Sequence, residues 1–153
     1  MAKDHIKPIA ENRKAHHDYF IEDKFEAGLV LKGTEVKSLR QGRANLKDSY
    51  VKIKRGEAWL HQMHISPYPF AYYDNHDPLR VRKLLLHHYE IKKLAGKIVE
   101  RGYALIPLRL YFREGKVKVL LGLAKGKRQY DKRDTMRRRD QKRDLDRIKK
   151  EYK

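Results

Sequence analysis

Two carboxylates and three histidine pairs are the residues whose types could support acid–base or metal chemistry. The carboxylates, Glu26 and Glu35, have no second acid or nucleophile at a spacing that would form a catalytic pair. Adjacent histidines of a strand point to opposite faces, so His16–His17 and His87–His88 are poorly placed to share a metal. His61 and His64 have no third ligand nearby in the sequence. The sequence therefore predicts no catalytic residue, no metal and no cofactor, with Glu35 in a salt bridge.

A glycine-rich segment, GLAKGKR at residues 122–128, invites comparison with a phosphate-binding loop. A Walker A loop has four residues between its glycines and a Ser or Thr after its Lys. Here three residues separate the glycines and Arg128 follows the Lys. We interpret this segment as a strand end that runs into a basic linker.

The composition points to a polyanionic partner. The formal net charge is +18, and 38% of the residues are charged. A net charge this positive makes nucleic acid the first candidate partner and an anionic membrane surface the second. Lys and Arg release counterions when they neutralise phosphates, which favours binding. There is no cysteine, so disulfides are excluded. With no apolar run long enough for a signal or a membrane span, we expect a cytoplasmic protein.

The charge is concentrated at the C-terminal end. Residues 124–153 hold 14 Lys and Arg against 6 Asp and Glu, a net charge of +8. Their few apolar residues cannot offset the entropy of ordering, so we expect a tail that is disordered when free. The tail is still compatible with a helix, because Leu145, Ile148 and Tyr152 would share one stripe. We therefore divide the chain into a globular domain, 1–123, and a tail, 124–153, that becomes helical on a partner.

The globular part is predicted to be mainly β. Segments 103–112 and 116–124 form one hairpin, and segments 49–54 and 57–65 form another around Arg55-Gly56. Segment 17–31 is predicted to be one long or bent strand. Helical spacing predicts a helix over 88–102 that Gly102 caps, and a shorter one over 34–41, between Gly33 and Gly42. Residues 66–80 read as a loop. Short antiparallel strands with two or three helices suggest an OB-like antiparallel β-barrel.

Aromatic residues lie among the basic ones, as they do in proteins that stack on unpaired bases. Tyr72 and Tyr73 sit in the long loop, and Tyr130 has only polar neighbours. We favour stacking of Tyr130 on a partner over a merely exposed tyrosine. The aromatic residues predicted to lie in the core are Phe20, Phe25, Trp59, Tyr111 and Phe112.

Four segments, in this order, closely resemble the small protein B (SmpB) family. They are FEAGLVLKGTEVKSLRQGRANLKDSYV (25–51), RKLLLH (82–87), GYALIPLRLYF (102–112) and GLAKGKRQYDKRD (122–134). The resemblance extends from about Asn12 to the C-terminus. It implies an OB-like barrel with about three helices. It also implies binding to the tRNA-like domain of transfer-messenger RNA and delivery of that RNA to stalled ribosomes for trans-translation.

The resemblance also implies roles for particular residues and partners. The tail would enter the decoding centre and the empty messenger channel of the small subunit, and elongation factor Tu would join through the RNA. The segment 34–41 would be an amphipathic helix with Val36 and Leu39 on the core and Lys37 and Arg40 outside. The implied RNA-binding residues are Asn12, Arg13, Lys14, His17, Glu26, Leu85 and Lys118, and the implied ribosome-binding residues are Gly126, Lys127, Tyr130, Asp131, Lys132 and Arg133.

Other function classes remain open at this point. A constitutive ribosomal protein would also have a small barrel and a basic tail. An enzyme that modifies or cleaves RNA would need Glu26 to act with a histidine. A membrane-surface role for the tail is disfavoured by its thin apolar stripe. We expect a monomer with neither a membrane nor a small-molecule substrate as its partner.

Overall fold

The structure is a computed structural model that describes residues 5–126. These residues contain nine strands and three helices. The three helices are α1 (Arg13–Asp18), α2 (Gly33–Arg40) and α3 (His88–Arg101). The strands are β1 (Ile6–Glu11), β2 (Tyr19–Leu29), β3 (Ala44–Asn45), β4 (Tyr50–Lys54), β5 (Glu57–His61), β6 (His64–Ile65), β7 (Arg82–Leu85), β8 (Ala104–Arg113) and β9 (Lys116–Gly126).

Antiparallel pairing closes the main sheet on itself. The strands pair in the order β1-β8-β4-β5-β7-β2-β9, and β9 also pairs with β8. Six strands therefore form a ring, with β1 added beside β8 and a two-stranded β3–β6 sheet apart from it. This arrangement agrees with the predicted mainly β, OB-like fold.

The interior of the ring is filled by aliphatic side chains from alternate positions of the strands. Leu60, Leu84, Leu110 and Leu121 are among its fully buried members. From outside the strands, Leu94 of α3 and Leu39 of α2 join the same cluster. Burial of each such side chain contributes about 1.5–3 kcal/mol to the hydrophobic driving force of folding.

A second apolar cluster lies on the outer side of β8 and β9. A bulge between Pro107 and Arg109 changes the register of β8 against β9. Ile106 before the bulge and Leu108 within it therefore point outward, whereas Leu110 beyond it points inward. The outward pair packs against Ala15 of α1, and so fixes that short helix on the outside of the barrel.

Most of the predicted elements are confirmed. Both hairpins form, with positive φ at Arg55-Gly56 and at Glu114-Gly115 in their turns. Helix α3 ends at Gly102, whose φ of 67° is the left-handed conformation expected of a C-cap. Helix α2 begins at Gly33, and Gly42 follows it with a φ of 69°.

Four parts of the sequence interpretation need correction. Residues 17 and 18 belong to α1, so the strand predicted over 17–31 starts at Tyr19. Segment 57–65 divides into β5 and β6, because Gln62 has a positive φ of 64° between them. Strand β9 continues to Gly126, which pairs with Tyr19, so residues 124–126 are part of the sheet. Phe20, predicted to be core, is 45% exposed.

Candidate nucleic-acid interface

The register around Gly28 brings three of the predicted RNA-binding residues together. Gly28 of β2 pairs with Leu85 of β7 on one side and with Lys118 of β9 on the other. Directly paired residues share a face of a sheet, as do residues two apart along a strand. Glu26 therefore lies on the same face as Leu85 and Lys118, although the three are far apart in the sequence.

Glu26 has two partners on this face, although the sequence suggested none. The Tyr111 hydroxyl donates to its carboxylate at 2.5 Å, and the Arg113 guanidinium donates to the same oxygen at 2.9 Å. Partial burial alone would raise the pKa of Glu26, but these hydrogen bonds and the charges of Arg113 and Lys118 lower it below 4.5. Burial, followed by the bond to Glu26, raises the pKa of Tyr111 to about 12. Glu26 is therefore an ionised carboxylate that orients Tyr111 and Arg113.

Leu85 is a large apolar residue left exposed beside these charges. Its side chain is packed over Gly28, where an added Cβ would lie 3.3 Å from the Leu85 Cβ. More than half of Leu85 is exposed. A shallow groove beside it is lined by Leu29, Val36 and Lys118. This combination suits contact with the apolar face of a sugar or base next to a phosphate.

Helix α1 lies at the other end of the same outer face. Its Ala15 packs in the cluster that includes Leu120, and Leu120 pairs directly with Glu26. From Tyr19, which follows α1, to Glu26 the strand spans about 23 Å at 3.3 Å per residue. The seven RNA-binding residues predicted from the resemblance thus lie in two patches on one outer surface.

Within α1 and just before it, the predicted residues have different surroundings. Asn12 donates its side-chain amide to the Pro107 carbonyl at 3.0 Å and so anchors the start of α1 to β8. Arg13 and Lys14 are exposed. His17 is exposed too, and its Nδ1 lies 3.0 Å from the Asp18 carboxylate. Asn12 is therefore positioned to hold the helix, whereas the three charged or ring side chains face solvent.

Several cations of this outer face were missed in the sequence. Pairing places Arg109 opposite Leu120 and Arg113 opposite Lys116, and it places Lys24 opposite Gly122. All of these side chains share the outer face with Lys118. Strict alternation of inward and outward residues along β8 does not reveal Arg109 and Arg113. The bulge at Pro107–Arg109 reverses the side of the sheet to which every later residue points.

The opposite outer face, on β4 and β5, carries stacked rings. The rings of Tyr50 and His61 are parallel within 5°, with their centroids 5.2 Å apart, and the Lys52 amine lies 5.8 Å from the Tyr50 centroid. Burial and the charge of Lys52 lower the pKa of His61. Both effects favour the neutral form of the ring. No group of three or more potential metal ligands occurs within residues 5–126.

The predicted tail site lies largely outside the described residues. Only Gly126 is described, as the last residue of β9. The other five residues of that prediction, Lys127, Tyr130, Asp131, Lys132 and Arg133, lie beyond the described range. Among the described helices, none combines the length and apolar composition needed to cross a membrane.

Comparison with known proteins supports the resemblance over nearly the whole chain. The family profile described as SmpB protein matches residues 9–151. The chain is 63% identical to the SsrA-binding protein of Syntrophobacter fumaroxidans over 142 residues, which cover 93% of this chain and 88% of the relative. It is 57% identical to the SsrA-binding protein of Bacillus subtilis, with 96% and 94% of the two chains covered.

A solved structure agrees with these relatives. It is described as "tmRNA-SmpB: a journey to the center of the bacterial ribosome" and matches with a TM-score of 0.67 at 51% identity. The match covers 78% of this chain and 85% of the solved chain. With a family profile over almost its full length and relatives at about 60% identity, the chain belongs to the SmpB protein family.

Proposed function

We propose that the protein binds the tRNA-like domain of transfer-messenger RNA and acts with it on stalled ribosomes in trans-translation. The relatives are SsrA-binding proteins, and the solved neighbour belongs to a tmRNA–SmpB system of the bacterial ribosome. The observation that carries the proposal within this chain is the pairing of Gly28 with Leu85 and Lys118. That pairing assembles a cationic face with one exposed leucine from three separate strands.

The face recognises a folded RNA by its backbone. The guanidinium groups of Arg109 and Arg113 and the amine of Lys118 project from neighbouring positions and contact phosphates. Leu85 packs against a sugar or an unstacked base at the edge of this cationic face. Because folded RNA offers few readable base edges, shape and phosphate contacts dominate its affinity. Binding should therefore weaken steeply as salt rises.

The protein acts by binding, without chemistry of its own. A general base needs a free carboxylate or imidazole within reach of a reacting proton. The Glu26 carboxylate is hydrogen bonded to Tyr111 and Arg113, and Glu35 is enclosed by two arginines. In our proposal both acids organise cations, and the RNA and the ribosome supply the reaction.

The tail, residues 127–153, serves the ribosome. In our proposal its cations follow the empty messenger channel, Tyr130 stacks in the decoding centre, and elongation factor Tu joins through the RNA. The site of action is then the cytoplasm, where ribosomes translate. The high charge and the absence of proline after Pro107 are compatible with a segment that becomes helical on RNA.

Replacing Glu26 by Gln should weaken binding to the tRNA-like domain by about 10- to 150-fold, roughly 1.5–3 kcal/mol, the range of a hydrogen bond to a charged group. The substitution removes a negative charge from a cationic face, so a purely electrostatic surface would bind RNA more tightly. We expect the opposite, because the carboxylate holds Arg113 and Tyr111 in place. Filter binding or fluorescence anisotropy with the isolated tRNA-like domain measures the effect.

The matched control is Glu114→Gln. Glu114 is an exposed residue of the turn between β8 and β9, and its substitution makes the same change in net charge. It should leave affinity equal or slightly higher. If both variants bind more tightly, the orienting role of Glu26 is refuted. If the unmodified chain shows no preference for the tRNA-like domain over an unrelated duplex, the proposed function is refuted.

A further inference from the structure

The loop over residues 66–80, between β6 and β7, presents aromatic rings directly to solvent. Tyr72 is 87% exposed, Tyr73 is 88% exposed and Phe70 is 67% exposed. Large rings are seldom left so exposed on a surface that has no ligand, and here three of four consecutive residues carry one. These rings do not belong to the outer face of β2, β7 and β9, so RNA binding by that face does not explain their exposure.

The loop is held in one conformation by its own polar groups. The Asn75 side chain accepts from the Tyr68 backbone N–H at 3.2 Å and donates to the Tyr68 carbonyl at 3.0 Å. The buried His76 ring bonds Thr34 Oγ1 and the Ile65 carbonyl, each at 2.9 Å. These bonds tie the loop to α2 and to β6. The loop that carries the rings is therefore held in place before binding, which lowers the conformational entropy lost when a ligand binds.

Cations of α2 lie along one side of this loop. The Lys37 amine is 5.6 Å from the centroid of the Tyr68 ring, and that ring packs edge-on to Phe70 at 5.4 Å. Arg40 is exposed on the same helix, and the Arg43 carbonyl accepts a bond from the Ser66 N–H at 3.0 Å. Glu35, the acid of α2, is buried against Arg80 and Arg82. The exposed side of α2 is therefore positively charged.

We propose that loop 66–80 is a stacking platform for unpaired RNA bases, with Tyr72 and Tyr73 as the stacking rings and α2 as the phosphate-binding side. The inference rests on the proposed function and extends its RNA-binding surface beyond the Gly28 face, which is the outer face of β2, β7 and β9 with Glu26, Leu85 and Lys118. Helix α2 borders both surfaces, because its Val36 lines the groove beside Leu85 and Lys118 and its Lys37 lies over the Tyr68 ring.

RNA fits this surface better than a protein partner does. Aromatic faces beside a cationic strip match a strand that alternates bases and phosphates. A surface that binds another protein usually has an apolar centre from which charged residues are depleted. Here the rings stand at a loop tip next to Asp74, while the phosphate-binding cations lie on α2. The unpaired base belongs either to the transfer-messenger RNA or to ribosomal RNA.

The test compares the full chain with Tyr72→Ala/Tyr73→Ala. Because both side chains are almost fully exposed, the double variant should unfold at the same temperature as the original chain. Binding is measured to three RNAs: a single-stranded oligonucleotide with 2-aminopurine, the tRNA-like domain, and purified small ribosomal subunits. Stacking contributes roughly 1–3 kcal/mol per base, so we expect about 5- to 150-fold weaker binding and loss of 2-aminopurine quenching.

Two further variants make the result specific. Tyr72→Phe/Tyr73→Phe keeps the rings and should bind like the original chain. Tyr89→Ala removes another tyrosine, 71% exposed on α3, and should change none of the three affinities.

Weaker binding of the double alanine variant to the tRNA-like domain assigns the base to transfer-messenger RNA, and weaker binding to subunits alone assigns it to ribosomal RNA. Unchanged binding of the double alanine variant to all three RNAs would overturn the inference, as would an equal loss from Tyr89→Ala. The proposed function would survive either outcome if the original chain still bound the tRNA-like domain.

Discussion

Replacing Glu35 by Gln is expected to lower the free energy of unfolding by about 3–5 kcal/mol, the range found when one partner of a buried ion pair is removed. Glu35 and Arg82 are both 0% exposed. The carboxylate accepts from Arg82 Nε and Arg80 Nε, and the backbone N–H of Lys32 donates to it at 2.8 Å. Without its charge, Arg82 would remain buried with its positive charge uncompensated.

This network joins three parts of the chain that carry the proposed RNA-binding surfaces. Arg82 also donates to the Met63 and Pro78 carbonyls, and Arg80 donates to the Val30 carbonyl. It therefore connects α2, the loop 66–80 and β7. Chemical denaturation of the full chain, followed by circular dichroism, measures the loss.

Glu57→Gln is the matched control for this prediction. Glu57 pairs with Lys83 at 3.1 Å, but the two side chains are 45% and 39% exposed. A solvent-exposed pair contributes about 0–1 kcal/mol, so this variant should unfold close to the original chain. Equal stability of both variants would mean that the Glu35 network does not stabilise the fold.

The same carboxylate should make stability depend on acid pH. Burial alone would raise the pKa of Glu35, but hydrogen bonds from Arg80, Lys32 and Arg82 outweigh it and lower the pKa below 4.5. A carboxyl with a lowered pKa in the folded state stabilises the protein above its unfolded value, and this contribution is lost as pH falls through the folded value. Below about pH 4.5 the original chain should therefore lose stability faster than the Gln variant.

Deleting residues 127–153 is expected to abolish peptide tagging on stalled ribosomes while leaving binding to the tRNA-like domain within about tenfold of the full chain. Strand β9 ends at Gly126, where it pairs with Tyr19, so the deletion removes no described strand pairing. The Gly28 face also remains complete. In-vitro tagging assays and equilibrium binding with the same preparation measure the two effects.

A reciprocal variant separates the two functions. Lys118→Ala, with the tail intact, should weaken RNA binding, and its tagging should recover when excess protein restores the complex. The shortened chain should not recover at any concentration. Loss of RNA binding on deletion, with Lys118→Ala unaffected, would place the RNA site in the tail and contradict the account.

Local patterns predicted the elements with strong signals and missed those without them. The β8–β9 hairpin and α3 have long apolar stretches and glycine turns, and both formed as expected. Strand β1 was missed, because Pro8 interrupts it and its apolar residues face a single neighbour, β8. Helix α1 has six residues and no side-chain cap, so its stability comes from Ala15 packing on β8 and β9.

The candidate surface shows a similar division. The resemblance supplied Glu26, Leu85 and Lys118, and pairing in the sheet brought them onto one face. Tyr111 and Arg113 could not be predicted as partners of Glu26, because they lie 85 and 87 residues away in the sequence. Burial of Arg82 was also unforeseen, since arginine is almost never fully buried without a partner. The pairing of Glu35 with two arginines is what permits it.

Amide hydrogen exchange of the full chain, with and without the tRNA-like domain, tests most directly whether the Gly28 face binds the RNA. We expect slower exchange in α1, in β2 around Glu26, and in β7 and β9 around Leu85 and Lys118, with the β4–β5 hairpin unchanged. Protection confined to β4 and β5, where Tyr50 and His61 stack, would contradict it.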